Sequence, residues 1–240
     1  MFLLKINRSI IKFNLMKVLV MKNEFLITGP SLKPRDKEAK MLVIFFHGWG
    51  SNGDDLIQLA PFFAKDFPSA YFLSPNGPEE CPQNPFGGKQ WFGLDFNTDG
   101  SIDRSNMPEK VAFAAEHANK YIKYWQNKLS LSNEKTILIG FSQGSMLSLE
   151  IGTNKLLGGL LCYSGSFIAK DRPLTKNHNI MLIHGDSDDV IPVQSMIKAK
   201  DSLESLGAKV ESHISANLGH SIDEEGINKG IEFIKKCNIL

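Results

Sequence analysis

The pentapeptide Gly140-Phe141-Ser142-Gln143-Gly144 sets a hydroxyl between two glycines, where an apolar run (136–139) gives way to helical spacing at Met146, Leu147, Leu149 and Ile151. A direct turn from strand to helix forces its central residue to positive φ, and glycines two positions away remove the Cβ atoms that would collide there. Ser142 would then project above the carboxyl edge of a sheet, with the N–H groups of the next helix aimed at any anion formed beside it. Gly and Ser also make ordinary turns, but the strand before and the helix after argue for a nucleophile.

A serine hydroxyl attacks only when a base takes its proton, so a histidine has to reach it. Of six histidines, His47 and His184 open His-Gly turns at the ends of apolar runs, where a ring packs or hydrogen-bonds locally. His117 falls in a helical pattern and His178 in a polar loop, and both read as surface residues. His213 belongs to an extended segment. His220 follows the last such segment in Asn217-Leu218-Gly219-His220 and precedes the last helix, which suits the chain order serine, acid, histidine. The acid that orients the imidazole comes from His184-Gly185-Asp186-Ser187-Asp188-Asp189-Val190-Ile191-Pro192, and spacing leaves its three aspartates open. Negative charge developing on a substrate oxygen would meet the N–H of Gln143 and a second N–H from the small-residue turn Gly48-Trp49-Gly50.

The elements that must carry these groups alternate along the chain. Apolar runs at 42–46, 70–73, 136–139, 157–163 and 180–183, with an extended 209–214, predict strands. Helical spacing predicts helices over 54–67, 109–129, 143–151, 193–206 and 222–236. Strands alternating with helices predict a mostly parallel central sheet covered on both faces, in a single domain. Between 75 and 106 the chain reads as one irregular loop rich in Pro, Gly and Asn, and a loop of that length in a compact domain is usually functional.

Apolar residues at 42% allow a real core, and 27 Lys and Arg against 26 Asp and Glu leave a net charge of +1. That balance gives no electrostatic reason to expect nucleic acid as a partner. Cys81, Cys162 and Cys237 lack the paired spacing of a zinc site and fit reduced thiols in a cytoplasmic protein, Cys162 in the core. Residues 1–23 carry five basic residues and no acid. Lys12 and Lys17 interrupt their apolar stretch, so they read as neither a secretory signal nor a membrane span. They are expected to be an N-terminal extension, disordered or preceding the true start, with the folded domain at 24–240. Asp95-x-Asn97-x-Asp99-Gly100-Ser101-Ile102-Asp103 follows a calcium-loop pattern, but Asn106 at its twelfth position cannot give a bidentate carboxylate, so no metal is expected.

His47–Leu56 (HGWGSNGDDL), Gly140–Ser145 (GFSQGS), the 186–192 loop and Gly219-His220 together resemble the phospholipase/carboxylesterase family, over roughly residues 24–236. The resemblance implies an α/β-hydrolase fold and hydrolysis of carboxylic esters or thioesters through an acyl-enzyme on Ser142, without a cofactor. The family's His-Gly-x-x-Asp-x-x-Val-Pro pattern, laid on this chain with Ile191 in place of the valine, selects Asp188 as the acid. The same comparison points to the Trp49 N–H as the second oxyanion donor, and to Trp91-Phe92 near the site. Phe86, Trp91, Phe92 and Phe96 would then either line an acyl pocket or anchor the loop to the core. The implied partner is a small-molecule ester or an acylated substrate. A non-catalytic ligand-binding member of the fold, or a small peptidase, is the alternative; the first usually loses a triad residue, and the second normally brings a cap domain this chain has no room for.

Overall fold

The β-branched and aromatic runs form strands because such side chains pack well on a pleated surface, and these runs are apolar on both faces. In the structure, a computed structural model that describes residues 27–84, 86–168, 174, 178–237 and 239, they build one seven-stranded sheet. Its strands are β1 (Ser31–Leu32), β2 (Met41–Phe46), β3 (Ala70–Leu73), β8 (Thr136–Phe141), β9 (Gly159–Tyr163), β10 (Asn179–Gly185) and β11 (Lys209–Ser215). The order is β1-β3-β2-β8-β9-β10-β11, parallel throughout except for β1, which pairs antiparallel with β3. The expected α/β-hydrolase architecture, mostly parallel and single-domain, is what the chain adopts. The expected segment at residues 1–23 lies outside the described residues.

Alternation along each strand divides the core in two. Leu42, Ile44 and Phe46 of β2, with Leu138, Leu160 and Leu182, join one cluster beneath the long helix α3 (Met107–Leu129), α4 (Gln143–Asn154) and α5 (Gln194–Ser205). Met41, Val43 and Phe45, with Ile137, Ile139, Leu161 and Ile183, join the other, beneath α1 (Gly53–Leu56), α2 (Ala60–Phe63) and α6 (Glu224–Lys236). Period-2 side chains packed on both faces hold the sheet between helices and leave its carboxyl edge as the place where loops meet.

Two regions depart from the sequence expectation. The helix expected over 54–67 is α1 and α2 joined by a 3₁₀ turn at Ile57–Leu59, with Pro61 in the first turn of α2. Pro cannot donate the bond that a continuous helix needs there. The stretch expected as one irregular loop contains two short antiparallel hairpins, β4 (Glu79–Glu80) with β5 (Lys89–Gln90), and β6 (Asp95–Phe96) with β7 (Ile102–Asp103). Strands of two residues carry no periodicity to read. Among the described residues no helix is long and apolar enough to cross a membrane.

Candidate active site

Ser142 sits between β8 and α4 with φ 53° and ψ −115°. The turn is possible because a Cβ on Gly144 would lie 1.9 Å from the Phe46 carbonyl oxygen, and one on Gly140 would lie 2.4 Å from the Gly144 carbonyl oxygen. The strained backbone is held from below: the Ser142 N–H donates to the Tyr163 carbonyl at 2.9 Å, and the Ser145 hydroxyl donates to the Gly140 and Tyr163 carbonyls. Strain of this kind, of order 1–3 kcal/mol, persists only where its surroundings over-determine it.

His220 comes from the loop between β11 and α6. Its Nδ1 lies 2.8 Å from Asp188 Oδ2, 32 residues away in the chain. A buried carboxylate needs donors, and Asp188 has several: Oδ1 accepts the N–H groups of Val190 (3.0 Å) and Ile191 (2.8 Å). Burial by itself would raise the Asp188 carboxyl. The His220 hydrogen bond and charge and the Ile191 and Val190 N–H groups outweigh it, and the group is held below its ordinary 3.8. Of its two neighbours, Asp189 is exposed, and Asp186 turns to the Ser187 hydroxyl and the Asn217 N–H. The two loops are sewn together, since Ser187 N–H donates to Leu218 O, and Gly185 leaves room for that carbonyl, which a Cβ would approach to 2.1 Å.

Ser142 and His220 line one cavity of about 300 Å³ with Trp49 and Gln143, and the Phe141 ring packs on the imidazole at 4.9 Å. No hydrogen bond joins the Ser142 hydroxyl to His220 among the described residues; such contacts are often long in a free enzyme and tighten on binding. The backbone N–H groups of Trp49 and Gln143 meet no acceptor among the described hydrogen bonds, and both residues line the cavity with Ser142.

Trp91 and Phe92, expected near the substrate, do not line that cavity. They are 2% and 4% exposed, and their aromatic area is spent in the core. The Trp91 Nε1 donates to the His47 carbonyl at 3.0 Å, and its ring packs edge-on against Phe46. They anchor the segment, and the wall is built instead by Leu94, Phe96, Ile102, Met107, Met146, Val190 and Ile191, with Arg104. Met146 stands one helical turn after Ser142, a spacing that could have found it; the hairpin residues carried no such signal. Phe86, weighed with them, is 95% exposed. His178, read as surface, is 2% exposed, and burial lowers its imidazole.

Three polar contacts brace the site: the first went unseen in the sequence, and the other two are the local hydrogen bonds expected of His47 and His184, with partners the sequence did not name. The Gln143 side chain clasps the loop, accepting the Trp91 N–H and donating to the Phe92 carbonyl, both at 2.8 Å. His184 Nε2 lies 2.7 Å from the Ile191 carbonyl and 3.2 Å from Asp188 Oδ2, so that nitrogen carries the proton and braces the acid's turn. His47, fully buried, accepts the Gly77 N–H at Nε2 and donates from Nδ1 to Gly48 O, and burial drives its pKa from 6.5 to about 4. The calcium-like segment folds as the β6–β7 hairpin. Asp95 pairs with Lys110 at 2.7 Å, Asp99 accepts from Ser101, and Asp103 accepts the Ser105 N–H. No cluster of three or more His, Cys, Asp or Glu among the described residues could hold a metal.

This chain is similar to known proteins over most of its length. A family model for phospholipase/carboxylesterase matches residues 28–238. Esterase YpfH of Escherichia coli is 29% identical over 215 residues, 89% of this chain and 88% of that protein. Acyl-protein thioesterase 1 homolog 1 of Dictyostelium discoideum is 30% identical over 207 residues, 81% of this chain and 89% of that one. Among solved structures, esterase PE8 superposes with a TM-score of 0.81 at 33% identity, covering 88% of this chain and 99% of that one.

Proposed function

The chain belongs to the phospholipase/carboxylesterase family, as a serine hydrolase of carboxylic esters or thioesters, and from that premise we propose that Ser142, His220 and Asp188 are its catalytic triad. The observation that carries the assignment is the 2.8 Å contact between a fully buried Asp188 carboxylate and His220 Nδ1, on the wall of the cavity that holds Ser142. In this reading Asp188 keeps the proton on Nδ1, which leaves Nε2 bare to take the nucleophile's proton.

In the proposed reaction Ser142 Oγ attacks the carbonyl carbon as His220 Nε2 takes the hydroxyl proton. The oxyanion lodges between the Trp49 and Gln143 N–H groups, each worth roughly 3–4 kcal/mol to the transition state. Collapse of the tetrahedral adduct breaks the bond to the alcohol or thiol, which leaves with the proton from His220. A water, deprotonated by the same ring, then frees the acid from Ser142. The hydroxyl–imidazole hydrogen bond closes as substrate fills the cavity. An apolar wall with few polar groups supports a short or medium acyl chain as its occupant. The cysteines Cys81, Cys162 and Cys237 are free, the first two buried, which supports a cytoplasmic location.

A fluorophosphonate probe tests the assignment, because only an activated serine reacts. Wild type should label and hydrolyse p-nitrophenyl esters. Ser142→Ala should do neither, with kcat down roughly 10⁴–10⁶-fold. An alanine variant that labels or turns over normally refutes it.

A further inference from the structure

Arg104 stands at the end of β7, on the wall of the Ser142 cavity. Among the described residues of that wall it is the one ionisable side chain apart from the His220 imidazole, and beyond Ser142 and Gln143 at the nucleophile its neighbours are apolar. Among the described residues its guanidinium makes no ion pair and no side-chain hydrogen bond. The aspartates of its hairpin each have another partner: Asp95 pairs with Lys110, Asp99 accepts from Ser101, and its chain neighbour Asp103 accepts the Ser105 N–H. Phe96, Ile102 and Val190, three of the eight large apolar side chains exposed among the described residues, belong to the same cavity. A cation without a partner, set into an apolar wall that opens to solvent, is the complement of an amphiphile: an aliphatic chain with an anionic group.

Resting on the triad assignment above, we propose that Arg104 is a specificity-determining residue that selects esters or thioesters bearing a carboxylate or phosphate over neutral ones of the same length. The planar guanidinium offers paired donors to either anion, and charge-assisted bonds of this kind are about twice as strong as neutral ones. Arg104 itself is exposed, so solvent screens the interaction. A preference of roughly tenfold in kcat/KM is the expected size, equal to about 1.4 kcal/mol.

The anion could sit on the acyl side or on the alcohol side, and two matched pairs separate them. On the acyl side, p-nitrophenyl hexanoate is compared with the mono-p-nitrophenyl ester of adipic acid. On the alcohol side, 1-hexanoylglycerol is compared with 1-hexanoylglycerol 3-phosphate. The readout is the anionic-to-neutral ratio of kcat/KM in wild type, Arg104→Gln, Arg104→Lys and Arg104→Glu. In one pair the wild-type ratio should favour the anion, fall about tenfold in Arg104→Gln, recover in part in Arg104→Lys and drop furthest in Arg104→Glu. It should also shrink as salt rises, since an exposed ion pair is screened. Ratios in both pairs that do not change on Arg104→Gln overturn the inference while leaving the triad intact. A Ser142→Ala protein that still cleaves the neutral esters overturns the triad assignment instead, so the two failures are distinguishable.

Discussion

The floor and the roof of the cavity are built by different means. The floor is the carboxyl edge of the sheet, where Ser142, Asp188 and His220 are held by buried backbone bonds and by glycines that leave no room for a Cβ. The roof is the 75–106 segment, folded as two two-stranded hairpins, with Phe86, Phe96 and Ile102 exposed. Among the described residues three buried attachments join them: the Gln143 clasp on Trp91 and Phe92, the Trp91 Nε1–H on the His47 carbonyl, and His47 Nε2, which takes the Gly77 N–H. A site that must hold a strained nucleophile needs an over-determined floor, whereas the surface that sorts substrates tolerates a roof fixed at a few points.

The largest way to break that contrast is at the floor. Asp188→Asn keeps an oxygen for the Val190 and Ile191 N–H groups but turns an amide donor toward His220, and so favours the wrong imidazole tautomer. The proposed triad predicts a fall in kcat of roughly 10⁴-fold with little change in KM, read from steady-state kinetics, while circular dichroism reports an intact fold. A loss under tenfold would sink Asp188 as the acid.

Acid acts next, at the joint between floor and roof. The His47 ring titrates near 4 when folded and near 6.5 when exposed, so the unfolded chain takes up the proton first. The stability this ring contributes is complete above about pH 6.5 and is lost as pH falls toward 4, by about 3 kcal/mol. His178, also lowered by burial, acts in the same direction. Urea midpoints measured between pH 7 and pH 4.5 should decline steadily. A flat profile across that window contradicts a neutral, buried His47.

The smallest effect belongs to the roof. Phe96→Ala removes a ring that is 47% exposed and should change unfolding free energy by under about 0.5 kcal/mol. Acyl-length selectivity, measured as kcat/KM for butanoate against octanoate p-nitrophenyl esters, should shift several-fold. Equal loss on both esters, or a large fall in stability, would place Phe96 with the floor.

Legibility in the sequence follows the same division. The elbow was readable because its geometry is local: two glycines, a strand before and a helix after. Cys162 in the core and the alternation of strands and helices were readable for the same reason. His178 was misread because a polar neighbourhood in sequence says nothing of what packs over it in space. Trp91 and Phe92 were readable as an aromatic pair in a long loop, yet only their burial at 2% and 4% shows which way they face.

By itself, the sequence determined the fold class and the short list of groups able to do the chemistry, since side-chain period, glycine placement and turn residues act within a few positions of one another. Tertiary structure decided which partners meet. The Asp188–His220 contact spans 32 residues and the Gln143–Trp91 clasp 52. Hydrophobic burial and loop closure bring such groups together across the whole sheet edge, and no local pattern encodes their distance.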